Sequence, residues 1–460
     1  MIMKIADKNT SAVSLVEKSL KRIEETKEYN IFTFIDNARA LEKAKKIDEK
    51  IKRGEPVGRL AGVPFALKSN FLSKDRPANA SAKILTDFPS PLNSTCAELL
   101  ENEDAICVGC VNLDAFAHGS STENSFFGPT LNSKDKSRVA GGSSGGSAVA
   151  VALDCVEFAT GTDTGGSIRQ PASFNGVYGM KPTYGATSRY GVVAMASSLD
   201  VIGFFAKTPS DLDLLMEICA KRDEKDLTSL PDFYAESSET FPKKKIGIIK
   251  DFMESEKLDP EIKSALEEKV ASLKKKGFEI VELEMPTLKY ALAAYYIIQP
   301  AEVASNLSRY DGIRYAFRSK NSKDLDSLFK NTRGEGFMPE NKRRIMIGNF
   351  VLSSGFYDAY FLKAAKARTL IIREFNAAFE KVDCILSPTS PNPAFKLGEK
   401  VSDPVSMYLE DVMSVPVNLA GLPALAFPLG KSKSGLDLGA QLIGPRRSDK
   451  QLINLVKELN

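Results

Sequence analysis

The 460-residue sequence contains a single histidine, His118. One imidazole excludes metal sites made from several histidines, and it excludes catalytic schemes that need two imidazoles. If the protein is a hydrolase, its general base is therefore expected to be a lysine or a carboxylate. No metal site is predicted.

Cysteine is also scarce, with six in the chain. This number is too small for a disulfide scaffold and indicates a reducing compartment. Cys107 and Cys110 form a C-x-x-C motif, but a zinc site would need a second pair of ligands at such a spacing. The segment Ala105–Val111 is instead predicted to be a buried strand, in which residues three apart point to opposite faces.

Neither sign of charge is in excess, because 62 lysines and arginines face 59 acidic residues and give a net charge of +3. This balance is not that of a protein that binds nucleic acid by itself through many phosphate contacts. The longest apolar runs, such as 417–429, are interrupted by asparagine, glycine and proline, so no segment is predicted to span a membrane. The first ten residues contain no apolar segment of the signal-peptide type, and no cleaved transit peptide is indicated.

With 43% apolar and 26% charged residues, the composition is that of an ordinary globular protein. The apolar run Val63–Leu67 predicts a strand, and residues 245–283 predict a β-α-β unit whose helix begins at Pro260 after Asp259. Further helices are predicted from helical spacing over Val16–Ile23, Leu41–Ile51, Ala291–Arg309, Lys342–Phe379 and the end of Gln441–Asn460. Alternating strands and helices predict an α/β fold with a mixed or parallel central sheet.

Two loops rich in glycine and serine, Gly141–Ser147 and Thr160–Ser167, are the strongest chemical signal in the sequence. A phosphate-binding Walker loop would need a lysine after its last glycine, which neither loop has. The nucleophile elbow of α/β-hydrolases would need a histidine downstream, whereas His118 lies upstream. A turn-rich linker would not be bracketed by the apolar segments 148–153 and 156–159. The glycines are therefore predicted to let a ligand approach the backbone closely.

A serine that acts with a lysine is the remaining interpretation. A serine hydroxyl needs a base to become a nucleophile at neutral pH, and a lysine kept neutral by burial can serve. Lys68 is the candidate, because it ends the apolar run that begins at Val63.

The stretches Gly141–Ser147 and Gly161–Ala172 resemble the signature of the amidase signature family. The resemblance implies a triad with Ser167 as the nucleophile, Ser143 as a cis-serine relay and Lys68 as the base. It also implies an oxyanion hole formed by backbone N–H groups of Thr164, Gly165, Gly166 and Ser167.

Within that family the chain resembles the A subunits of glutamyl-tRNA(Gln) amidotransferases. The resemblance rests on stretches outside the loops: 112–125, 188–200, 310–315, 343–348, 353–360 and 415–423. It implies a glutaminase whose ammonia converts Glu-tRNA(Gln) to Gln-tRNA(Gln). A B-type partner subunit would carry the kinase activity, with ATP and magnesium, and would bind the tRNA, and a small third subunit is expected. No cofactor is expected on this chain.

The same resemblance assigns the recognition of glutamine. Its α-carboxylate would be bound by Arg344, for which Arg343 is the rival, and its α-ammonium by Asp411, since a guanidinium suits the first group and a carboxylate the second. Tyr295 and Tyr296 are expected to add hydroxyls. The alternatives are a free-standing amidase that acts on another small amide and a non-catalytic scaffold. Arg344 and Asp411 argue against the first, and the intact triad argues against the second.

The resemblance also implies a single amidase-signature domain over 1–460, with a mixed central sheet covered by helices on both faces. Within it we expect N-terminal helices over 1–57, a signature core over 58–210, a β-α-β unit over 245–285, and a helical region with the last part of the sheet over 290–460. A mitochondrial matrix location is expected in preference to the bacterial cytoplasm.

Overall fold

A computed structural model describes residues 10–86 and 88–459. Residues 1–9, on which the expectation about targeting segments depends, lie outside the described part. Over the described residues the chain forms eleven strands: β1 Phe32–Ile35, β2 Pro64–Lys68, β3 Ile106–Val111, β4 Phe158–Asp163, β5 Tyr178–Lys181, β6 Val201–Ala206, β7 Lys245–Ile249, β8 Glu279–Leu283, β9 Cys384–Pro388, β10 Ala424–Lys431 and β11 Asp437–Ile443.

Fifteen α-helices lie within the same described ranges: α1 Ala12–Glu25, α2 Asn37–Lys52, α3 Thr95–Asn102, α4 Gly145–Ala152, α5 Arg169–Phe174, α6 Pro209–Cys219, α7 Lys250–Met253, α8 Pro260–Lys275, α9 Ala291–Asn306, α10 Leu325–Gly336, α11 Pro339–Leu352, α12 Lys363–Lys381, α13 Pro404–Leu409, α14 Val415–Leu419 and α15 Asp449–Leu459. None of the described helices has the length and apolar character needed to cross a membrane.

All the strands belong to one mixed sheet, in the order β1-β3-β2-β4-β6-β5-β10-β11-β9-β7-β8. Parallel pairs lie toward the two ends of the sheet, where β2 pairs with β3 and β4, and β7 pairs with β8 and β9. The strands between these groups pair antiparallel. The predicted mixed sheet is therefore confirmed.

Most strands in the interior of the sheet are buried on both faces because successive side chains enter different cores, whereas the edge strands β1 and β8 are partly exposed. Phe65 and Leu67 of β2 pack in a core with residues of α6, α8, α9, α12 and α15. Ala66, between them, packs in a second core with residues of α1, α2 and α4. Helices thus cover both faces of the sheet, as predicted.

Most predicted elements are present with small shifts of their ends. The β-α-β unit is formed by β7, α8 and β8, and the side chain of Asp259 accepts a hydrogen bond from the N–H of Glu261 at the start of α8. The single helical stretch predicted over Lys342–Phe379 is wrong. Helix α11 ends at Leu352 because Ser353 adopts an extended conformation, and a π-helical turn at Tyr357–Leu362 precedes α12.

The fold brings two functional segments to one edge of the sheet. Strands β2 and β4 are parallel neighbours, so their carboxyl ends lie at the same edge. Lys68 is the last residue of β2, and Asp163, which precedes the loop that carries Ser167, is the last residue of β4. Parallel pairing therefore places the predicted base beside the predicted nucleophile loop.

Candidate active site

The side chain of Lys68 is fully buried at the edge of the sheet and is surrounded by hydroxyl groups. Its Nζ atom lies 2.8 Å from the Oγ atoms of Ser143 and Ser144, and 2.8 Å from Oγ1 of Thr162. The backbone N–H of Lys68 donates to Oγ1 of Thr160 at 3.0 Å. Lysine, cis-serine and the end of β4 are therefore joined in one hydrogen-bonded cluster.

Burial lowers the pKa of Lys68 to about 7, because the charged ammonium loses its hydration. Three buried carboxyl groups, those of Asp114, Asp163 and Asp200, act in the opposite direction. Burial also raises the pKa of Asp114 and of Asp200 to about 7. At neutral pH a substantial fraction of Lys68 is therefore unprotonated.

The loop before α4 packs tightly against the loop of residues 114–124. The peptide bond between Gly142 and Ser143 is cis. A Cβ atom at Gly142 would collide with Oδ2 of Asp114 and the backbone nitrogen of Ser121. Asp114 in turn accepts hydrogen bonds from the N–H groups of Thr122 at 2.9 Å and Asn124 at 3.0 Å. This close packing fixes the backbone from which Ser143 reaches Lys68.

Ser167 lies at the end of the second glycine loop and is 8% exposed, while Ser143 and Lys68 are fully buried. Its backbone carbonyl accepts a hydrogen bond from the N–H of Ser144 at 3.3 Å, so the two loops lie side by side. The Ser167 hydroxyl has no hydrogen-bond partner among the described residues. Of the three predicted catalytic residues, Ser167 is thus the one that solvent can reach.

The loop around Ser167 curls around the carboxylate of Asp163. This carboxylate accepts hydrogen bonds from the N–H groups of Gly166 at 2.9 Å and Ile168 at 3.1 Å. Burial favours the neutral acid, but the ion pair with Arg169 and the hydrogen bond from Asn418 outweigh it and hold the pKa of Asp163 below its usual range. Asp163 is therefore an ionised anchor for the loop.

Of the four N–H groups predicted to bind the oxyanion, one already has a hydrogen-bond acceptor within the described part of the chain and three do not. Gly166 has its N–H bound to Asp163, so it is not free for a second acceptor. The N–H groups of Thr164, Gly165 and Ser167 have no partner among the described residues. These three donors, at the start of the loop and at Ser167 itself, remain available for a developing negative charge.

The predicted substrate-binding residues form one buried cluster. The Tyr296 hydroxyl donates to Oδ2 of Asp411 at 2.8 Å, and the Arg344 guanidinium lies 5.2 Å from the centre of the Tyr296 ring. Tyr295 connects the cluster to the nucleophile loop, because its hydroxyl lies 3.2 Å from Oγ1 of Thr164. Burial raises the pKa of Asp411 to about 6.

Burial distinguishes Arg344 from Arg343. The Arg343 side chain is 42% exposed, whereas that of Arg344 is 3% exposed. The Nε atom of Arg344 donates to Oε1 of Glu340 at 2.8 Å, and Nη1 donates to Oε1 of Gln299 at 3.0 Å. Arg344 therefore lies inside the cluster with its orientation fixed, while Arg343 lies at the rim.

Four residues of this cluster were missed by sequence reasoning: Ser120, Gln299, Glu340 and Tyr408. The Ser120 hydroxyl donates to Asp411 at 2.8 Å, and the Tyr408 hydroxyl donates to Glu340 at 2.7 Å. The Tyr408 ring stacks on Tyr296 with centroids 3.9 Å apart. Tyr408 lies only three residues before Asp411, which is the one sequence signal that pointed to it.

Within the described ranges, no group of three or more His, Cys, Asp or Glu residues is arranged to hold a metal ion. All six cysteines, Cys107 and Cys110 included, are buried as free thiols. Burial raises the pKa of the Cys110 thiol above its usual range. The C-x-x-C pair is therefore part of the core packing.

Comparison with known proteins places this geometry in a family. The sequence matches the model of the family described as Amidase over residues 14–453. It is 46% identical over 456 residues to the A subunit of glutamyl-tRNA(Gln) amidotransferase from Koribacter versatilis, covering 98% of this chain and 95% of that protein. It is 48% identical over 456 residues to the protein of the same name from Coxiella burnetii, covering 98% and 94%.

A solved structure leads to the same family. The A subunit of glutamyl-tRNA(Gln) amidotransferase from Thermotoga maritima superposes with a TM-score of 0.79 at 38% identity, covering 96% of this chain and 90% of that one. The family match extends over nearly the whole chain and includes Lys68 and both serine loops. The protein therefore belongs to the amidase signature family and is an amidase-type enzyme.

Proposed function

We propose that this chain is the glutaminase subunit of a tRNA-dependent amidotransferase, which hydrolyses glutamine and supplies ammonia for the conversion of Glu-tRNA(Gln) to Gln-tRNA(Gln). The observation that carries the proposal is the joining of two sites by Tyr295. A Lys68–Ser143 pair suited to amide cleavage lies on one side, and an Arg344–Asp411 pair suited to an amino acid lies on the other. The relatives described above are named as A subunits of glutamyl-tRNA(Gln) amidotransferases, which supports the proposal.

The hydroxyls around Lys68 support its role as the base. A neutral amine has two N–H donors and one lone pair, so one of its three hydroxyl partners must donate to it. The Ser144 hydroxyl donates to the carbonyl oxygen of Thr162 at 3.3 Å, so Ser144 can only accept from Lys68. The hydroxyls of Ser143 and Thr162 have no acceptor other than Nζ among the described residues, so either can donate to a neutral Lys68. The position of Ser143 in the first glycine loop, beside the loop of Ser167, supports it as the residue that passes a proton to Lys68.

The proposed reaction moves one proton along this chain of groups. Lys68 accepts the proton of Ser143 while Ser143 accepts that of Ser167, and the Ser167 oxygen bonds to the carbonyl carbon of the glutamine side-chain amide. The N–H groups of Thr164, Gly165 and Ser167 would bind the oxyanion; removal of one such donor in other enzymes costs about 3–4 kcal/mol of transition-state stabilisation. The proton returns through Ser143 to the leaving nitrogen, ammonia departs, and water hydrolyses the glutamyl ester.

The buried cluster favours an amino-acid substrate over a fatty or aryl amide. Arg344 is paired with Glu340 and Asp411 accepts hydrogen bonds from two hydroxyls, but a substrate without charged groups would leave Asp411 without a cation and Nη2 of Arg344 without an acceptor in a mostly buried site, which is unfavourable. An α-carboxylate and an α-ammonium would satisfy both groups. The cluster therefore supports glutamine over the free-standing amidase alternative.

The proposal assigns the other activities to partner subunits. A B-type subunit would bind tRNA and activate Glu-tRNA(Gln) with ATP and magnesium, and a small third subunit would complete the complex. This division is supported by the near-neutral charge of the chain and the names of its relatives. Those relatives are bacterial, which supports the bacterial alternative and gives no support to a mitochondrial location.

The central test is the Ser167→Ala variant. We expect it to lose glutamine hydrolysis while its unfolding curve and its association with co-purifying proteins remain those of the unchanged protein. Acid quenching of the unchanged protein during turnover should trap a glutamyl ester on the peptide that contains Ser167, which mass spectrometry would locate. Substantial activity in Ser167→Ala, or an ester on Ser143 or Ser144, would refute the assignment.

A further inference from the structure

The only histidine of the chain lines a cavity of about 240 Å³ beside the substrate-binding cluster. The cavity lies between the 118–124 loop, the start of α11 and the segment around α13. Arg344 and Tyr408 belong to its lining together with His118, so it adjoins the cluster in which glutamine is proposed to bind. None of the reactions described above uses His118.

The hydrogen bonds of Asn341 fix the position of the proton on the His118 ring. The Asn341 side-chain oxygen accepts from the N–H of Met338 at 3.2 Å, and its nitrogen donates to the carbonyl oxygen of Ala115 at 2.8 Å. The amide orientation is therefore determined at both ends. Its nitrogen also lies 2.6 Å from Nδ1 of His118, so Nδ1 must be the acceptor. The N–H of the ring is then on Nε2.

The Nε2 atom is a buried donor without a partner among the described residues. Burial and the neighbouring charge of Arg344 hold the pKa of His118 well below its usual value, so the ring is neutral. A buried N–H that lacks an acceptor is costly and rare in native proteins. Because His118 lines the cavity, a group bound there is the candidate acceptor for this hydrogen bond.

A second donor lies on the same cavity. Arg344 uses Nε and Nη1 for Glu340 and Gln299, and its Nη2 has no hydrogen-bond partner among the described residues. Asn341 and Arg344 are three residues apart on α11 and therefore lie on one face of the helix. The contact with Asn341 thus holds His118 near Arg344. His118, from the 118–124 loop, and Arg344, from α11, each have an N–H without a partner in the described part of the chain and line the same cavity.

We propose that Nε2–H of His118 donates a hydrogen bond to the α-carboxylate of glutamine, alongside Arg344. The proposal rests on the proposed function, because it adds a residue to the recognition of the same substrate. A carboxylate has two oxygens and can accept from an imidazole and a guanidinium together. His118 would thus distinguish substrates with a free α-carboxylate from other amides.

The test is a binding measurement in a background that cannot turn the ligand over. Calorimetry would be carried out on the full-length Ser167→Ala protein, together with any partners that co-purify, using L-glutamine and L-glutamine α-amide, in which a carboxamide replaces the carboxylate. His118→Phe keeps a ring and removes the donor, whereas His118→Gln restores an N–H near the position of Nε2. We expect His118→Phe to weaken the binding of glutamine about tenfold or more, as for other hydrogen bonds to charged groups.

The two ligands separate the possible outcomes. A carboxamide oxygen can accept only an uncharged and weaker hydrogen bond, so His118→Phe should reduce the affinity for the α-amide much less than that for glutamine, and His118→Gln should recover part of the affinity for glutamine. Unchanged glutamine binding in His118→Phe would overturn the proposal, since water alone would then satisfy Nε2. An equal loss for both ligands would also overturn it and indicate a packing role. Failure of the His118-containing protein to bind glutamine at all would instead contradict the proposed function.

Discussion

The carboxylate of Asp163 and the guanidinium of Arg169 form an ion pair with no exposed surface, with 3.0 Å between Oδ1 and Nη2. The guanidinium also donates to the backbone oxygen of Ser414 at 3.1 Å and to the side chain of Gln441 at 2.7 Å. Gly166, Ile168 and Asn418 complete the hydrogen bonds of the carboxylate. The nucleophile loop is thus built on one satisfied charge pair, which links it to the last strands of the sheet.

Breaking the ion pair between Asp163 and Arg169 should destabilise the folded protein. Arg169→Met would leave an unpaired buried carboxylate, and we expect the free energy of unfolding to fall by about 3–5 kcal/mol. Urea denaturation followed by circular dichroism would measure it. Arg53→Met is the matched control, because Arg53 pairs with Glu55 on the surface and its removal should have little effect. Equal losses in the two variants would show that the pair does not stabilise the loop.

Only part of this arrangement could be predicted from the sequence. The apolar run before Lys68 made this lysine a candidate base, and the resemblance of the two glycine loops to the amidase signature supplied its predicted role together with those of Ser143 and Ser167. The link from Arg169 to Gln441 joins residues far apart in the chain, and no local pattern indicates it.

Two predictions differ from the structure because tertiary contacts decide the local conformation. The break after Leu352 depends on the extended conformation of Ser353, which helical spacing does not reveal. The family resemblance implied that the N–H of Gly166 binds the oxyanion, but in the structure this N–H donates to Asp163. Tertiary contacts, rather than local sequence, fix such details.

The protonation state of Lys68 should determine the pH dependence of the activity. The neutral amine is the active form, and burial lowers the pKa of Lys68 to about 7. We therefore expect kcat/KM for glutamine to rise as the pH increases through about 7, and to be lost below it as the ammonium forms. Initial rates between about pH 5 and about pH 9 would measure this rise. An unperturbed lysine titrates well above this range, so a rise near pH 7 would identify the lowered pKa of Lys68.

A lysine variant separates a base from a fixed positive charge. Lys68→Arg retains the charge but cannot be deprotonated, so it should be inactive. Lys46→Arg is the control for an exposed lysine on α2 and should retain full activity. Activity in Lys68→Arg, with a pH profile that lacks the rise, would show that Lys68 acts only through its charge.

The two adjacent arginines give a matched pair of variants. We expect Arg344→Gln to raise KM for glutamine at least about tenfold, because a charge-assisted contact to the α-carboxylate is lost. Arg343→Gln should leave KM nearly unchanged, since the Arg343 side chain is 42% exposed at the rim. Steady-state kinetics and urea unfolding of both variants would separate binding from stability. A larger effect of Arg343→Gln on KM would reverse the assignment.

The last prediction concerns the division of labour between subunits. The net charge is +3, with 62 basic and 59 acidic residues. Because the affinity of a protein for nucleic acid depends on the number of phosphates that it neutralises, we expect the isolated chain to bind tRNA weakly. Neither glycine loop carries the lysine of a phosphate-binding loop, so ATP turnover by this chain is not expected.

The measurements are tRNA affinity at physiological salt and ATP hydrolysis by the purified chain, each repeated after addition of the co-purifying partners. The glutaminase activity of the isolated chain should be low and should rise when the partners and tRNA are present. Ser167→Ala separates the two activities, because it should remove the glutaminase without altering tRNA binding by the complex. Tight, specific tRNA binding or ATP hydrolysis by this chain alone would place those functions here, against the proposed division.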